Sequence, residues 1–127
     1  MALPWRMIDS AAYGGLSANA KALLIDLARQ FRGSNNGMLL CSRAYLAERG
    51  WKSNDMITKC KRELLNAQLI YETAMGMRPA KASRYALTFL SLDKLDGFDP
   101  GAAAGFVRGA YDTTRLISGN PRQPQSM

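Results

Sequence analysis

The sequence contains no histidine and only two cysteines, Cys41 and Cys60, among its 127 residues. Without histidine, the chain lacks the commonest general base and the Ser-His and Cys-His nucleophile pairs. A zinc site needs about four Cys or His ligands, so two cysteines argue against a structural zinc. We expect both thiols to be small buried hydrophobes without a disulfide. We expect no cofactor, no metal and no enzymatic activity.

Long hydrophobic runs are also missing. No apolar stretch approaches the roughly 20 residues that a membrane-spanning helix needs. The first ten residues, MALPWRMIDS, lack the apolar stretch of about 7–15 residues that marks a secretory signal. We therefore expect a cytoplasmic protein that does not enter a membrane.

Positive charge is present in excess, and it is unevenly distributed. The formal net charge is +7 and the isoelectric point is about 9.8. Residues 1–92 hold 13 lysines and arginines against 6 acidic residues, whereas residues 93–127 hold four of each kind. A basic domain attracts polyanions, and such an isoelectric point is typical of nucleic-acid-binding domains. Charge alone is equally compatible with a solvated surface.

The first long predicted element is an amphipathic helix over 17–31. Ser17 is a good N-cap because its hydroxyl can accept from a free N–H of the first turn. One helical turn is predicted before it, after Asp9 or Ser10, and MLLC at 38–41 is long enough only for a brief strand. Apolar residues recur in the long helix at the spacing of one buried face; they are Ala20, Leu23, Leu24, Leu27, Ala28 and Phe31.

Two helices joined by a tight turn follow. Ser42 caps a predicted helix over 42–50, and Gly50 supplies the left-handed residue expected after a helix end. Ser53 caps a second helix over 53–67, which has one apolar and one polar side. This spacing is typical of a helix-turn-helix.

Two strands are predicted next, over 69–74 and 83–89. Tyr85, Leu87 and Phe89 alternate with polar or small residues, which is the period of a half-buried strand. The basic segment MGMRPAK between the strands predicts a hairpin tip. The order helix, short strand, helix, helix, hairpin predicts a mostly α fold with a small β-hairpin (α+β), in the form of a winged helix-turn-helix.

The chain changes character after residue 92. Gly and Pro are frequent and periodicity is weak from Asp93 onward. We therefore divide the chain into a winged helix-turn-helix domain over 1–92 and a flexible C-terminal extension over 93–127.

Three segments resemble a family of small winged helix-turn-helix proteins carried by bacterial plasmids, phages and integrated elements. They are YGGLSANAKALLIDLARQFRGSNNGMLL, ERGWKSNDMITKCKRELLNAQLI and SRYALTFLSLD. The NNG turn, the GWKS corner and the YALT strand are the most specific pieces, and the resemblance covers about residues 3–93. The family is similar in outline to the DNA-binding domains of replication initiators, so the resemblance implies DNA binding. The family pattern has Gly where this chain has Gln68.

In a helix-turn-helix the second helix enters the major groove. Lys59 and Arg62 are candidates to contact guanine edges, and Asn54 to contact adenine. Lys52 and Ser53, at the helix start, are better suited to phosphate. Further candidates lie on the preceding helix, on the polar side of the second helix and in the hairpin. The full predicted DNA-binding set is Arg43, Lys52, Ser53, Asn54, Thr58, Lys59, Arg62, Arg78, Lys81 and Arg84.

The predicted function is sequence-specific binding of double-stranded DNA, in transcription regulation or replication control, by a protein that dimerises on its site. The alternative is a protein-interaction module. It would use the winged-helix surface and the neutral C-terminal tail, whose apolar residues are Phe98, Phe106, Tyr111, Leu116 and Ile117. Salt distinguishes the two, because binding through phosphates weakens steeply as salt rises.

Overall fold

The computed structural model describes residues 2–76 and 82–112. Within these residues six helices accompany one three-stranded antiparallel sheet, a mixed arrangement compatible with an α+β fold. None of the helices in the described part of the chain has the length and apolar content that a membrane crossing requires. The elements are α1 (Trp5–Ile8), α2 (Ala11–Gly14), α3 (Ala18–Ala28), β1 (Leu39–Leu40), α4 (Arg43–Glu48), α5 (Asn54–Asn66), β2 (Ile70–Ala74), β3 (Arg84–Leu87) and α6 (Ala102–Gly105).

Serine side chains cap four of these helices. Each hydroxyl accepts a hydrogen bond of 3.1–3.2 Å from the backbone N–H three residues later. The predicted starts of α2, α3, α4 and α5 are therefore confirmed, at Ser10, Ser17, Ser42 and Ser53. Helix α1 was not predicted; it is one turn long and follows Pro4, whose side chain makes no cap bond.

The sheet has the order β1-β3-β2, with β3 in the middle. Leu39 pairs with Tyr85 across one side of β3, and Ile70 pairs with Leu87 across the other. The predicted brief strand and both predicted longer strands are thus confirmed, although β2 and β3 are shorter than predicted. The predicted hairpin tip lies mostly at 77–81, outside the described residues.

Helices α3 and α5 pack together on this sheet to form the core. The apolar stripe predicted for α3 is buried at Leu23, Leu24 and Leu27, and Leu64 of α5 is buried with it. Burying a leucine side chain contributes roughly 1.5–3 kcal/mol, so this cluster stabilises the packing of α3 against α5. Phe31 lies beyond the end of α3 and is half-buried.

The turn before β1 is fixed by one buried amide. Asn36 has no exposed surface, and its side chain donates to the carbonyl oxygens of Leu87 and Ser91 at 3.0 and 2.9 Å. Its Oδ1 accepts from the Leu87 N–H at 2.7 Å. The Asn36 N–H also donates to the Asp93 carboxylate at 2.8 Å. The NNG turn is therefore anchored to the end of β3.

Residues 93–112 lie against the rest of the fold. The Asp99 N–H donates to the Thr73 carbonyl at the outer edge of β2, and the Phe106 ring meets Tyr71 edge to face at 5.5 Å between centroids. Asp112 forms an ion pair with Arg6 at 3.0 Å. The domain boundary at residue 92 stays a prediction, but residues 93–112 pack more closely than a flexible extension would. The buried apolar residues among them, Ala102 and Tyr111, are far apart in the sequence, so periodicity does not reveal them.

Candidate nucleic-acid interface

Helix α5 has one buried face and one exposed face. Ile57, Cys60 and Leu64 are buried against the core, as the apolar spacing predicted. The opposite side consists of exposed polar side chains, and we call it the outer face of α5. Its members are Asn54, Asp55, Thr58, Lys59, Arg62 and Asn66.

The turn between α4 and α5 has the geometry of a Schellman motif. Gly50 takes the left-handed conformation with φ +99°, as predicted. Its N–H donates to the Ala47 carbonyl at 3.1 Å, and the Trp51 N–H donates to the Leu46 carbonyl at 2.9 Å. These two bonds satisfy carbonyl groups at the end of α4 and turn the chain sharply toward α5.

Asp26 of α3 ties this corner to the core. Its side-chain carboxylate accepts from Arg49 Nε at 3.1 Å and from Trp51 Nε1 at 2.7 Å. Its backbone carbonyl accepts from the Tyr45 hydroxyl at 2.7 Å. One residue of α3, only 9% exposed, therefore fixes α4 and the turn that follows it.

Asp26 was not predicted from the sequence as a residue that shapes the site. It also engages Arg49 at the end of α4, whose guanidinium lies against its carboxylate. A signal was present in the sequence: Asp26 interrupts the apolar residues Leu24, Leu27 and Ala28, and the indole N–H of a half-buried tryptophan such as Trp51 needs an acceptor.

A second link joins α5 to α3. The Glu63 carboxylate accepts from the Ser17 N–H at 3.0 Å and from the Ser17 hydroxyl at 2.8 Å. These donors, the backbone one first, lower the pKa of Glu63 below its usual range. Ser17 still caps α3, because its oxygen also accepts from the Ala20 N–H. Asp26 thus holds the turn before α5, and Glu63 holds the C-terminal part of α5 itself.

Most of the predicted contact residues lie on α5 or just before it. Lys52 and Ser53 are exposed at its start, and Asn54, Thr58 and Arg62 follow at four-residue intervals along the outer face. The two remaining predicted residues in this region are also exposed: Lys59 beside them on α5 and Arg43 at the start of α4. The Ser53 oxygen accepts the capping bond from the Met56 N–H, which leaves its hydroxyl hydrogen to donate.

The predicted hairpin residues are placed differently. Arg84 is half-buried in β3, with Nη1 3.2 Å from Met38 Sδ. A Cβ atom at Gly97 would approach the same nitrogen to 3.2 Å. Arg84 thus lies beside β1 and the start of the C-terminal segment. Arg78 and Lys81 lie outside the described residues.

The cations around the outer face of α5 are not neutralised by ion pairs. Across residues 2–76 and 82–112, ion pairs join Arg6 to Asp112 and Arg49 to Asp26, and neither pair involves Arg62 or Lys59. Asp55 places one negative charge in the first turn of α5. Lys59 lies close enough to Glu63 to lower its pKa, but cationic groups that form no ion pair can still bind phosphate or base edges.

The cysteines and carboxylates bring no reactive cluster to this surface. In the described part of the chain, no three His, Cys, Asp or Glu side chains group so as to hold a metal ion. Cys41 and Cys60 are free thiols. Burial raises the pKa of Cys41 to about 11 and also raises that of Cys60, so both stay protonated at neutral pH.

Comparisons with protein-family models, with curated proteins and with solved structures find no match for this chain. The winged-helix resemblance therefore stays a prediction. The function is argued below from the geometry and charge of α5 and its surroundings.

Proposed function

We propose that this chain is a winged helix-turn-helix protein that binds double-stranded DNA in a sequence-specific way. Helix α4, the turn at Gly50 and helix α5 form the helix-turn-helix, with α5 as the recognition helix. The hairpin between β2 and β3 is the wing. The order of the elements supports this assignment, because a brief strand precedes α4 and α5 and two strands of the same sheet follow them.

The observation that carries the proposal is the way α5 is held. Its inner face is buried, Glu63 near its C-terminal end is bonded to Ser17, and the turn before it is bonded to Asp26 of α3, yet its outer face and N-terminus are exposed. A helix that is rigidly fixed but polar on its outer side suits insertion into a major groove, where positions must be held to fractions of an ångström.

Two kinds of DNA contact follow from the positions of the side chains. Arg62 and Lys59 have donors for guanine O6 and N7, and Asn54 matches the edge of adenine. Lys52 and Ser53 adjoin the free N–H groups at the start of α5, which favours phosphate. Arg43, at the start of α4, would bind the backbone on the other side of the turn.

The biological process is proposed from the resemblance to proteins of plasmids and phages. A small protein that recognises a DNA site can serve either transcription regulation or replication control. We propose one of these two roles, in a mobile element.

The test of DNA binding is a titration of a random-sequence duplex at about 50 and 200 mM salt. If about four phosphates are contacted, the logarithm of affinity falls with the logarithm of salt at a slope of about −3.6. The parent is compared with Lys59→Ala and with Lys94→Ala, in which an exposed lysine outside the helices is removed. Lys59→Ala is expected to weaken binding and Lys94→Ala to leave it nearly unchanged. No binding at low salt would contradict the proposal.

The second candidate function, a protein-interaction module, is favoured by exposed apolar side chains. Trp5 is 78% exposed and Val107 is 58% exposed. Three aromatic residues of the proposed partner-binding tail support it less: Tyr111 is buried, Phe98 lies over Gly37, and Phe106 lies on Tyr71. Binding to a protein that persists as salt rises would favour this candidate.

A further inference from the structure

Two large apolar side chains are exposed, one at the start of α1 and one on α3. Trp5 begins α1 and is 78% exposed, and Ile25 faces outward from α3 and is 39% exposed. A tryptophan carries one of the largest apolar surfaces of any side chain, and most proteins cover it at least partly. An indole exposed to this extent is a candidate to meet a partner.

A groove of about 330 Å³ lies at Ile25. It is lined by Leu3, Ile25, Ala28, Arg29 and Phe31. Leu3 is two residues before Trp5, so the Trp5 backbone lies within about 7 Å of the Leu3 backbone at the groove wall. Four of the five lining residues are apolar, and the fifth is a cation.

We propose that a second copy of this chain occupies the groove, with Trp5 of each copy inserted into the groove of the other. A two-fold interface uses the same surface on both copies, so that surface must carry both a projection and its receptor. Trp5 and the groove meet that requirement on one protomer.

Charge complementarity supports a tryptophan as the occupant. Arg29 is exposed at the groove wall, and a guanidinium is attracted to the face of an indole ring. The apolar lining by Leu3, Ile25 and Phe31 suits the rest of the ring. The basic chain would repel its own copy elsewhere, but here its cation meets an aromatic face.

The dimer surface does not overlap the proposed DNA-binding surface. The groove is built from α3 and the segments at Leu3 and Phe31, whereas the proposed DNA contacts come from α4 and α5. Dimerisation can therefore be measured without DNA. A chain that does not dimerise would leave the proposal of DNA binding standing.

The first experiment is sedimentation velocity of the full chain without DNA, from about 1 to 300 μM. The parent is expected to form a dimer within this range. Trp5→Ala and Ile25→Arg are each expected to raise the dissociation constant about tenfold or more, since they remove the projection or fill its receptor. Val107→Ser, at an equally exposed apolar site outside the groove lining, is expected to leave it unchanged. Circular dichroism confirms that each variant is folded.

A mixing experiment tests the reciprocal geometry. In a mixed dimer, Trp5 of the Ile25→Arg copy can enter the intact groove of the Trp5→Ala copy. The mixture is therefore expected to associate more tightly than either variant alone. A monomeric parent over the whole range would overturn the proposal. So would a mixture no tighter than its components, or a Val107→Ser variant as impaired as Trp5→Ala.

Discussion

Asp26 shows how one polar side chain sets the geometry of the candidate site. Its carboxylate accepts from Arg49 and Trp51, and no described residue other than Asp26 joins α3 to both α4 and the turn through side-chain hydrogen bonds. Helix periodicity marks the faces of α3 but not the partner of a single carboxylate. The apolar face of α3 was therefore predictable, whereas this link was not.

Asp26→Ala is expected to lower the free energy of unfolding by about 2–3 kcal/mol, because it leaves the Trp51 N–H and the Arg49 guanidinium without their acceptor. Urea denaturation measures the change. Glu48→Ala, an exposed carboxylate in α4, is the control and is expected to change stability by less than about 0.5 kcal/mol. Equal effects of the two substitutions would contradict the role given to Asp26.

Gln68 has the left-handed conformation that the family pattern assigns to glycine. Its φ is +59°, its N–H donates to the Leu65 carbonyl, and the Leu69 N–H donates to the Leu64 carbonyl. This is a Schellman end for α5 with a side chain at the position where glycine is least strained. The glycine of the family pattern at this position fits the left-handed conformation found here.

Gln68→Gly is expected to stabilise the protein by about 1 kcal/mol, because it removes the strain of a side chain at positive φ. The control is Ala67→Gly, one residue earlier at φ −78°, which is expected to destabilise by about 1 kcal/mol. Thermal unfolding of both variants gives the comparison. Loss of stability in Gln68→Gly would show that the left-handed residue is not strained.

Glu63 gives the link between α3 and α5 a pH dependence. Hydrogen bonds from Ser17 lower its pKa in the folded state, so its contribution to stability is complete above the unfolded pKa of about 4.3. The contribution is lost as the pH falls through the folded pKa. Compared with Glu63→Gln, the parent is expected to lose more stability between about pH 6 and pH 3. Denaturant unfolding across this pH range measures the free energy of unfolding of both proteins. Equal losses of stability in the parent and in Glu63→Gln would contradict the assignment.

At the scale of elements, the helix starts were predictable and the C-terminal packing was not. Four serine caps are local signals, since each needs only a hydroxyl and a nearby N–H. Asp99 and Phe106 depend on contacts with residues about 25 to 35 positions earlier, at the edge of β2 and on Tyr71. No local pattern in the sequence encodes such contacts.

Asp99 also supports the start of the proposed wing. Its N–H donates to the Thr73 carbonyl, and its carboxylate accepts from the Met75 N–H at 2.8 Å. Asp99→Ala is expected to increase hydrogen exchange of the Met75 amide about tenfold, because one hydrogen bond to a charged acceptor is lost. Asp96→Ala is the control, since Asp96 is exposed in the same segment. Unchanged exchange in Asp99→Ala would contradict this support.

For the whole molecule, the two proposals place different partners on different sides. The outer face of α5 and the start of α4 carry exposed cations for DNA, and the groove beside α3 carries an apolar lining for a second copy. A dimer formed at that groove would bring two recognition helices to one DNA. Dimeric helix-turn-helix proteins recognise paired half-sites about one helical turn apart. A symmetric DNA site would connect the two proposals.

The most direct test of the central claim is a selection from random double-stranded DNA, run in parallel with the parent, Arg62→Ala and Lys94→Ala. The parent is expected to yield a defined sequence motif. Arg62→Ala is expected to lose preference at one base pair per half-site, at a cost of about 1–3 kcal/mol in binding, while Lys94→Ala keeps the parent motif. If the parent enriches no motif, or if Arg62→Ala enriches the parent motif unchanged with the parent's affinity, α5 does not recognise sequence through Arg62 as proposed.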